Sequence, residues 1–194
     1  MIKTSKQNIL ILFGLVTLSL IEQANCGWNW GWCPSPALQS GFDLSQYTGV
    51  WFEQKRDKSI LYEYGECVQA GYSSNPDGTI TVHNSLVNPY TNRVDDVVGS
   101  AVCEGPQCKV GFFIFRNGDY RVVSTDYTTY SVVYSCSNKW FIFSYDTTWI
   151  LTRAQAPSAG TMDTANNVVS TSLPAYSTDN FHNTVQGGNC LYMQ

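Results

Sequence analysis

The sequence predicts an all-β domain whose strands follow one another antiparallel, closed as a barrel or packed as a sandwich. Three observations carry this. Between residues 47 and 153, short runs rich in Val, Thr, Tyr, Ile and Phe recur in series, the habit of antiparallel all-β chains. Turn chemistry separates most of them: Asn75-Pro76-Asp77-Gly78, Asn88-Pro89, Gly105-Pro106 and Asn117-Gly118, each supplying the backbone angles a reversal needs. One run alternates cleanly. Ile80, Val82, Asn84 and Leu86 share a face, while Thr79, Thr81 and His83 share the other, as in a sheet with one wet side.

The chain opens with Lys3 and Lys6 and an apolar run from Ile9 to Ile21. That run is short of the roughly 20 residues that cross a bilayer. With the small-residue site Ala24-Asn25-Cys26 it reads as a secretory signal peptide over residues 1–26, cut after Cys26, or alternatively after Ala24. The formal net charge of −4 becomes more negative once Lys3, Lys6 and Glu22 are removed. An acidic product has nothing to offset phosphate charge, which argues against a nucleic-acid partner. The same cut turns seven cysteines into six: Cys33, Cys67, Cys103, Cys108, Cys136 and Cys190. An even count in an exported chain points to disulfides. No pair has Cys-x-x-Cys spacing, so zinc is the weaker reading and no metal site is assigned. Spacing by itself suggests one bond, Cys103 to Cys108.

Residues 27–32, Gly-Trp-Asn-Trp-Gly-Trp, carry neither a strand nor a helix period. Strands are expected at 47–56, 67–74, 79–87, 94–103, 109–116, 119–126, 130–137 and 146–153, with Asn117-Gly118 as the strongest hairpin signal. In the second, Val68, Ala70 and Tyr72 share one face. From 157 to 173 the pattern changes: Met162, Ala165, Val169 and Leu173 sit at helical spacing, which predicts one helix packed outside the sheet. Residues 174–194 read as a tail.

The motifs on these elements resemble a known family. Cys33-Pro34-Ser35-Pro36, Phe42-Asp43 and Tyr47-x-Gly49-x-Trp51-Phe52-Glu53 are similar to the amino-terminal block of lipocalins, in particular the apolipoprotein D-like branch. Gly65 to Ser73 resembles its second strand. Thr125-Asp126-Tyr127-x-x-Tyr130 with Val132 to Cys136 resembles the second block, and Trp149-Ile150-Leu151-Thr152-Arg153 the third. The resemblance covers nearly all of residues 27–194, which it makes one domain: an aromatic segment at 27–46, a barrel at 47–153, the helix and the tail.

It implies an eight-stranded antiparallel up-and-down barrel, closed at one end, with one flanking carboxy-terminal helix. It also implies disulfides Cys33–Cys136 and Cys67–Cys190, leaving Cys103–Cys108 as the third. Gly49, Trp51, Thr125, Asp126, Tyr127 and Arg153 become structural residues, with the Arg153 guanidinium stacked on Trp51. The cavity such a barrel encloses would be lined by Tyr72, Asn84, Leu86, Phe113, Arg121 and Val123. Arg121 stands where close relatives carry a tryptophan, and facing inward it would favour an anionic head group. If the strand is slipped by one residue, Tyr120 faces inward instead. The function implied is secretion, with binding and transport of one small hydrophobic or amphipathic ligand: fatty acid, sterol, retinoid-like, carotenoid or bilin.

No catalytic residue and no cofactor are assigned. Glu63 with Glu66, and Asp95 with Asp96, read as solvated acids. His83 shares the wet face of its strand and His182 lies in the tail. Two other readings stay open. One is an isomerase-type enzyme on the same barrel. The other is an interaction protein docking a partner or a lipid surface through its Trp-rich start and the apolar loop Trp140, Phe141, Ile142 and Phe143.

Overall fold

The computed structural model describes residues 27–113, 115–140 and 142–193. The signal-peptide reading, on residues 1–26, and Phe141 of the apolar loop lie outside the described residues.

Among the described residues, ten strands and two α-helices follow in order: β1 (Trp28–Trp30), α1 (Leu44–Tyr47), β2 (Gly49–Asp57), β3 (Glu66–Ser74), β4 (Ile80–Val87), β5 (Val94–Glu104), β6 (Gln107–Phe112), β7 (Phe115–Thr125), β8 (Tyr130–Lys139), β9 (Phe143–Thr152), α2 (Ala159–Ser172) and β10 (Phe181–Asn183). Strands β2 to β9 pair with their sequence neighbours, and β9 pairs back onto β2, from Phe52↔Thr152 to Arg56↔Trp149. This is a closed eight-stranded antiparallel barrel with one flanking helix. Closure removes both sheet edges. Register shifts at Glu53/Lys55, Glu66/Gln69, Val110/Phe112 and Val122/Ser124 add the local bends that a small barrel needs.

Two departures from the sequence reading matter. Residues 28–30 form a strand, β1, which pairs with the upper part of β9 (Trp28↔Tyr145 to Trp30↔Phe143); three residues are too few to show a period. The β6–β7 hairpin does not turn at Asn117-Gly118. Phe112 pairs with Phe115, so the reversal lies between them, with Phe113 at φ 51°, and Gly118 pairs with Val110 inside the ladder. A Cβ on Gly118 would sit 3.0 Å from the Val110 carbonyl oxygen. The glycine therefore serves strand approach here rather than a turn.

Helix α2 starts at Ser158, whose Oγ accepts from the Thr161 amide at 3.1 Å, a standard cap. It buries Ala165 and Val169 against the outer barrel face, together with Val123, Val132, Tyr134, Cys136 and Ile150. The disulfide Cys33–Cys136 ties the amino-terminal segment to this face, and Cys67–Cys190 holds the tail. Cys103–Cys108 bridges partners across the β5–β6 hairpin. Two further buried clusters lie inside the barrel: Tyr47, Trp51, Val122, Val133 and Leu151 at one end, and Ile80, Val82, Ala101 and Cys108 on the wall.

Candidate functional site

Strand parity decides what the barrel encloses, because successive side chains point to opposite faces. Trp51 and Glu53 on β2, Ala70 and Tyr72 on β3, and Val82 and Asn84 on β4 point inward. So do Val97 and Ala101 on β5, Phe112 on β6 and Tyr120 on β7. The inward side chains on the wall are mostly small, so the centre is not filled and a cavity of about 730 Å³ remains. That is the size range of a small-molecule site.

The barrel end bearing Gly49 is shut. Trp51 is fully buried, and the Arg153 guanidinium lies 3.8 Å from its ring centroid. That guanidinium also donates to the carbonyls of Gln46, Tyr47, Thr48, Val50 and Tyr127 at 2.8–3.2 Å, which pins α1 across the opening. Gly49, at φ 98°, leaves room for it: a Cβ there would stand 3.2 Å from Arg153 Nη1. Asp126 accepts from the amides of Thr128, Thr129 and Tyr130, closing the β7–β8 turn. The Thr125 hydroxyl donates to Tyr130 O in the same turn, and the Tyr127 hydroxyl accepts from the Asp43 amide.

Above Trp51 the floor is polar. The hydroxyls of Tyr47 and Tyr120 stand 2.8 Å apart, those of Tyr72 and Tyr120 3.1 Å, and Tyr47 reaches Ser131 Oγ at 2.9 Å. Burial is the main reason these phenols resist ionisation: it pushes Tyr47 up to about 12 and raises Tyr72 and Tyr120 well above the ordinary phenol range. They are neutral donors at physiological pH.

At the other end, the segment between β2 and β3 folds over the mouth. Tyr64 donates to Asp95 on β5, and Glu63 accepts from Trp149 Nε1 on β9 at 2.8 Å. Gly65 makes this crossing possible, since a Cβ there would fall 2.4 Å from the Val87 carbonyl oxygen. Below it, buried Glu53 is ion-paired with Arg56 at 2.8 Å, and Thr184 from the tail donates to the same carboxylate oxygen at 2.5 Å. Glu63 lines the cavity beside this pair. Burial first, and the Glu53 charge second, push its carboxyl up to about 8, so it carries its proton at neutral pH. The reading of Glu63 as a solvated acid is thus corrected; Glu66 does sit at the surface, where it pairs with His182 at 2.8 Å. Asp96 likewise pairs with His83 outside the barrel at 2.8 Å.

Of the six residues expected to line the cavity, Tyr72, Asn84 and Leu86 do so. The Asn84 Oδ1 has no protein partner among the described residues. The other three are corrected. Arg121 lies on the outer face, ion-paired with Asp119 at 2.8 Å; Val123 packs beneath α2; Phe113 is 81% exposed at the β6–β7 turn. In each case the residue one position earlier faces inward: Phe112, Tyr120 and Val122. Among the described residues, no Lys, Arg or His lines the cavity.

Outside the mouth, β1 brings the Trp-rich start onto the β8–β9 loop. Trp28 stacks on Trp140 with centroids 6.4 Å apart, and Trp30 meets Phe143 at 4.5 Å. Trp30, Trp32, Trp140 and Ile142 remain more than half exposed. Among the described residues no helix is long and apolar enough to cross a membrane.

A family profile described as "Lipocalin-like domain" matches residues 42–186. The chain is 33% identical over 150 residues to apolipoprotein D of Cavia porcellus, covering 75% of this chain and 78% of that protein. It is 30% identical over 171 residues to the Lazarillo protein of Schistocerca americana, covering 84% of this chain and 77% of that one. Its fold matches lobster apocrustacyanin A1 with a TM-score of 0.76 at 19% identity, over 87% of this chain and 96% of the other.

Proposed function

The chain belongs to the lipocalin family, and from that premise we propose that it takes one small apolar molecule into the barrel, carries it, and acts outside the cell. The observation that carries this is the open interior: an eight-stranded barrel has room either for its own side chains or for one ligand, and here the room is left. Binding would draw on burial of apolar ligand surface, at roughly 25 cal/mol per Å² before ordering costs. Secretion rests on the basic start and apolar run of residues 3–21, and on a disulfide framework suited to an oxidising compartment,.

The charges lining the cavity disfavour an anionic ligand. Its walls carry carboxyls and, among the described residues, no cation. A carboxylate drawn deep inside would meet no counter-charge and would forfeit its hydration. This replaces the anionic head group that an inward Arg121 would have selected. The joined aromatic patch at the mouth suits contact with a lipid surface during loading, because exposed apolar patches of this kind mark interaction sites.

The test is to fill the cavity from its wall. Ala101 is buried and lines the interior. Ala101→Trp should abolish binding of the neutral fluorophore N-phenyl-1-naphthylamine while the far-UV circular dichroism stays that of the parent. Unchanged affinity in a folded variant would place binding elsewhere and end the carrier reading.

A further inference from the structure

The four hydroxyls at the cavity floor form a line: Ser131, Tyr47, Tyr120, Tyr72, with contacts of 2.9, 2.8 and 3.1 Å. Each hydroxyl has one hydrogen to donate, so three contacts use three hydrogens and one O–H is left over. Its position follows from burial. Ser131 is fully buried and Tyr47 is 3% exposed. Ser131 Oγ meets only the Tyr47 hydroxyl among the described residues. If Tyr47 donated to Ser131, the serine hydrogen would be stranded in the protein interior, the costly outcome for a buried donor. Ser131 therefore donates to Tyr47, and Tyr47 passes its own hydrogen to Tyr120. The last contact, between Tyr120 and Tyr72, consumes one of their two hydrogens in either direction. The remaining O–H belongs to one of these two phenols, and both are only partly buried and line the cavity.

We propose that this surplus donor, shared by Tyr72 and Tyr120, is a built subsite for a neutral acceptor oxygen, such as a ketone, aldehyde or ester carbonyl, at the leading end of an apolar ligand. The inference rests on the carrier reading and deepens it by naming the group that reaches the floor. In a solvent-filled cavity that O–H would be met by water. A ligand that displaces this water without supplying an acceptor loses that bond, whereas a carbonyl restores it. A plain hydrocarbon end is correspondingly disfavoured. Asn84 lies one layer above, paired in register with Ala70 next to Tyr72 on β3, and its amide offers a second polar contact to the same end of the ligand.

The hydroxyl line also makes an unusual mutational signature. Removing the Tyr72 hydroxyl shortens the line but leaves the surplus hydrogen on Tyr120, still facing the cavity. Removing both leaves the surplus on Tyr47, which is buried beneath them. The experiment measures displacement of N-phenyl-1-naphthylamine by dodecan-2-one and by dodecane from the parent, Tyr72→Phe, and the double variant Tyr72→Phe/Tyr120→Phe. The expected result is a ketone affinity little changed in the single variant and about fivefold weaker in the double, the scale of one net hydrogen bond. Dodecane affinity should be unchanged in the single variant and no weaker in the double, where the donor it would strand is gone. A ketone that weakens no more than dodecane does would overturn the subsite and leave the carrier reading intact. If neither compound nor the fluorophore binds the parent, the carrier reading fails and the subsite with it. Should the double variant not fold, the parent decides alone: the carbonyl stretch of bound dodecan-2-one lies below its position in hexane if the donor is present. An unshifted band would refute it.

Discussion

Arg153→Met should cost this protein about 3 kcal/mol of stability, and the figure can be built from the contacts of one side chain. The guanidinium stacks on Trp51 at 3.8 Å, an interaction that contributes roughly 1 kcal/mol when partly shielded from water. It also holds five carbonyls. Those of Val50 and Gln46 lie at exposed contacts, so water replaces the arginine there at little loss. The contacts to Tyr47, Thr48 and Tyr127 are partly buried, and losing each costs ~1 kcal/mol. Against a gross loss of about 4 kcal/mol stands ~1 kcal/mol of side-chain entropy recovered when the fork is no longer held. Methionine keeps much of the apolar stem, so packing changes least. Arg153→Lys retains the charge but not the planar fork that spans several carbonyls, and should fall about halfway, near 1.5 kcal/mol. The assay is equilibrium urea unfolding with disulfides intact, comparing midpoints at unchanged slope. Fluorophore binding under native conditions should survive both changes, because Arg153 lies outside the cavity lining. A loss below ~1 kcal/mol for Arg153→Met would refute the additive account of this end cap. So would equal losses for Met and Lys.

Other outcomes follow from the mouth and the tail. Glu63 has its carboxyl raised to about 8, so the folded protein binds a proton that the unfolded chain releases near the ordinary carboxylate range. Stability must then fall as pH rises from about 4.5 through about 8,. Glu63→Gln should flatten that decline in thermal melts between pH 5 and 9, and an unchanged slope would show that Glu63 does not hold its proton. The Cys67–Cys190 bond links residues 123 positions apart, for which loop-closure entropy alone sets a ceiling of about 5 kcal/mol. Replacing both by serine should lower the urea midpoint and free residues 184–190 to limited proteolysis, while a parent-like digestion pattern would mean the tail is held by its hydrogen bonds.

Much of the fold was legible in local chemistry. Alternation at Ile80, Val82, Asn84 and Leu86 was enough to place β4, its inward face included, because a period of two is a local property. The 162, 165, 169, 173 spacing likewise placed α2 within residues 157–173,. Facing on β6 and β7 was not legible. The chain turns between Phe112 and Phe115, not at Asn117-Gly118, and a bulge interrupts the ladder near Val110. A slip of one residue exchanges the two faces of a strand, which is why Phe113, Arg121 and Val123 were all assigned inward together and all lie outside.

The sequence by itself thus determined that the chain is a lipocalin, the number and order of its barrel strands, and the polar Tyr72 and Asn84 on an inward face. These rest on residue type and spacing, which act over a few positions. Only the tertiary structure decided the sign of the cavity and the donor at its floor. Glu63 meets Trp149 across 86 positions and Tyr47 meets Ser131 across 84. Burial and hydrogen-bond satisfaction at such separations exist only once the barrel has closed, because closure is what removes water from those groups and leaves each one the neighbours that must answer it.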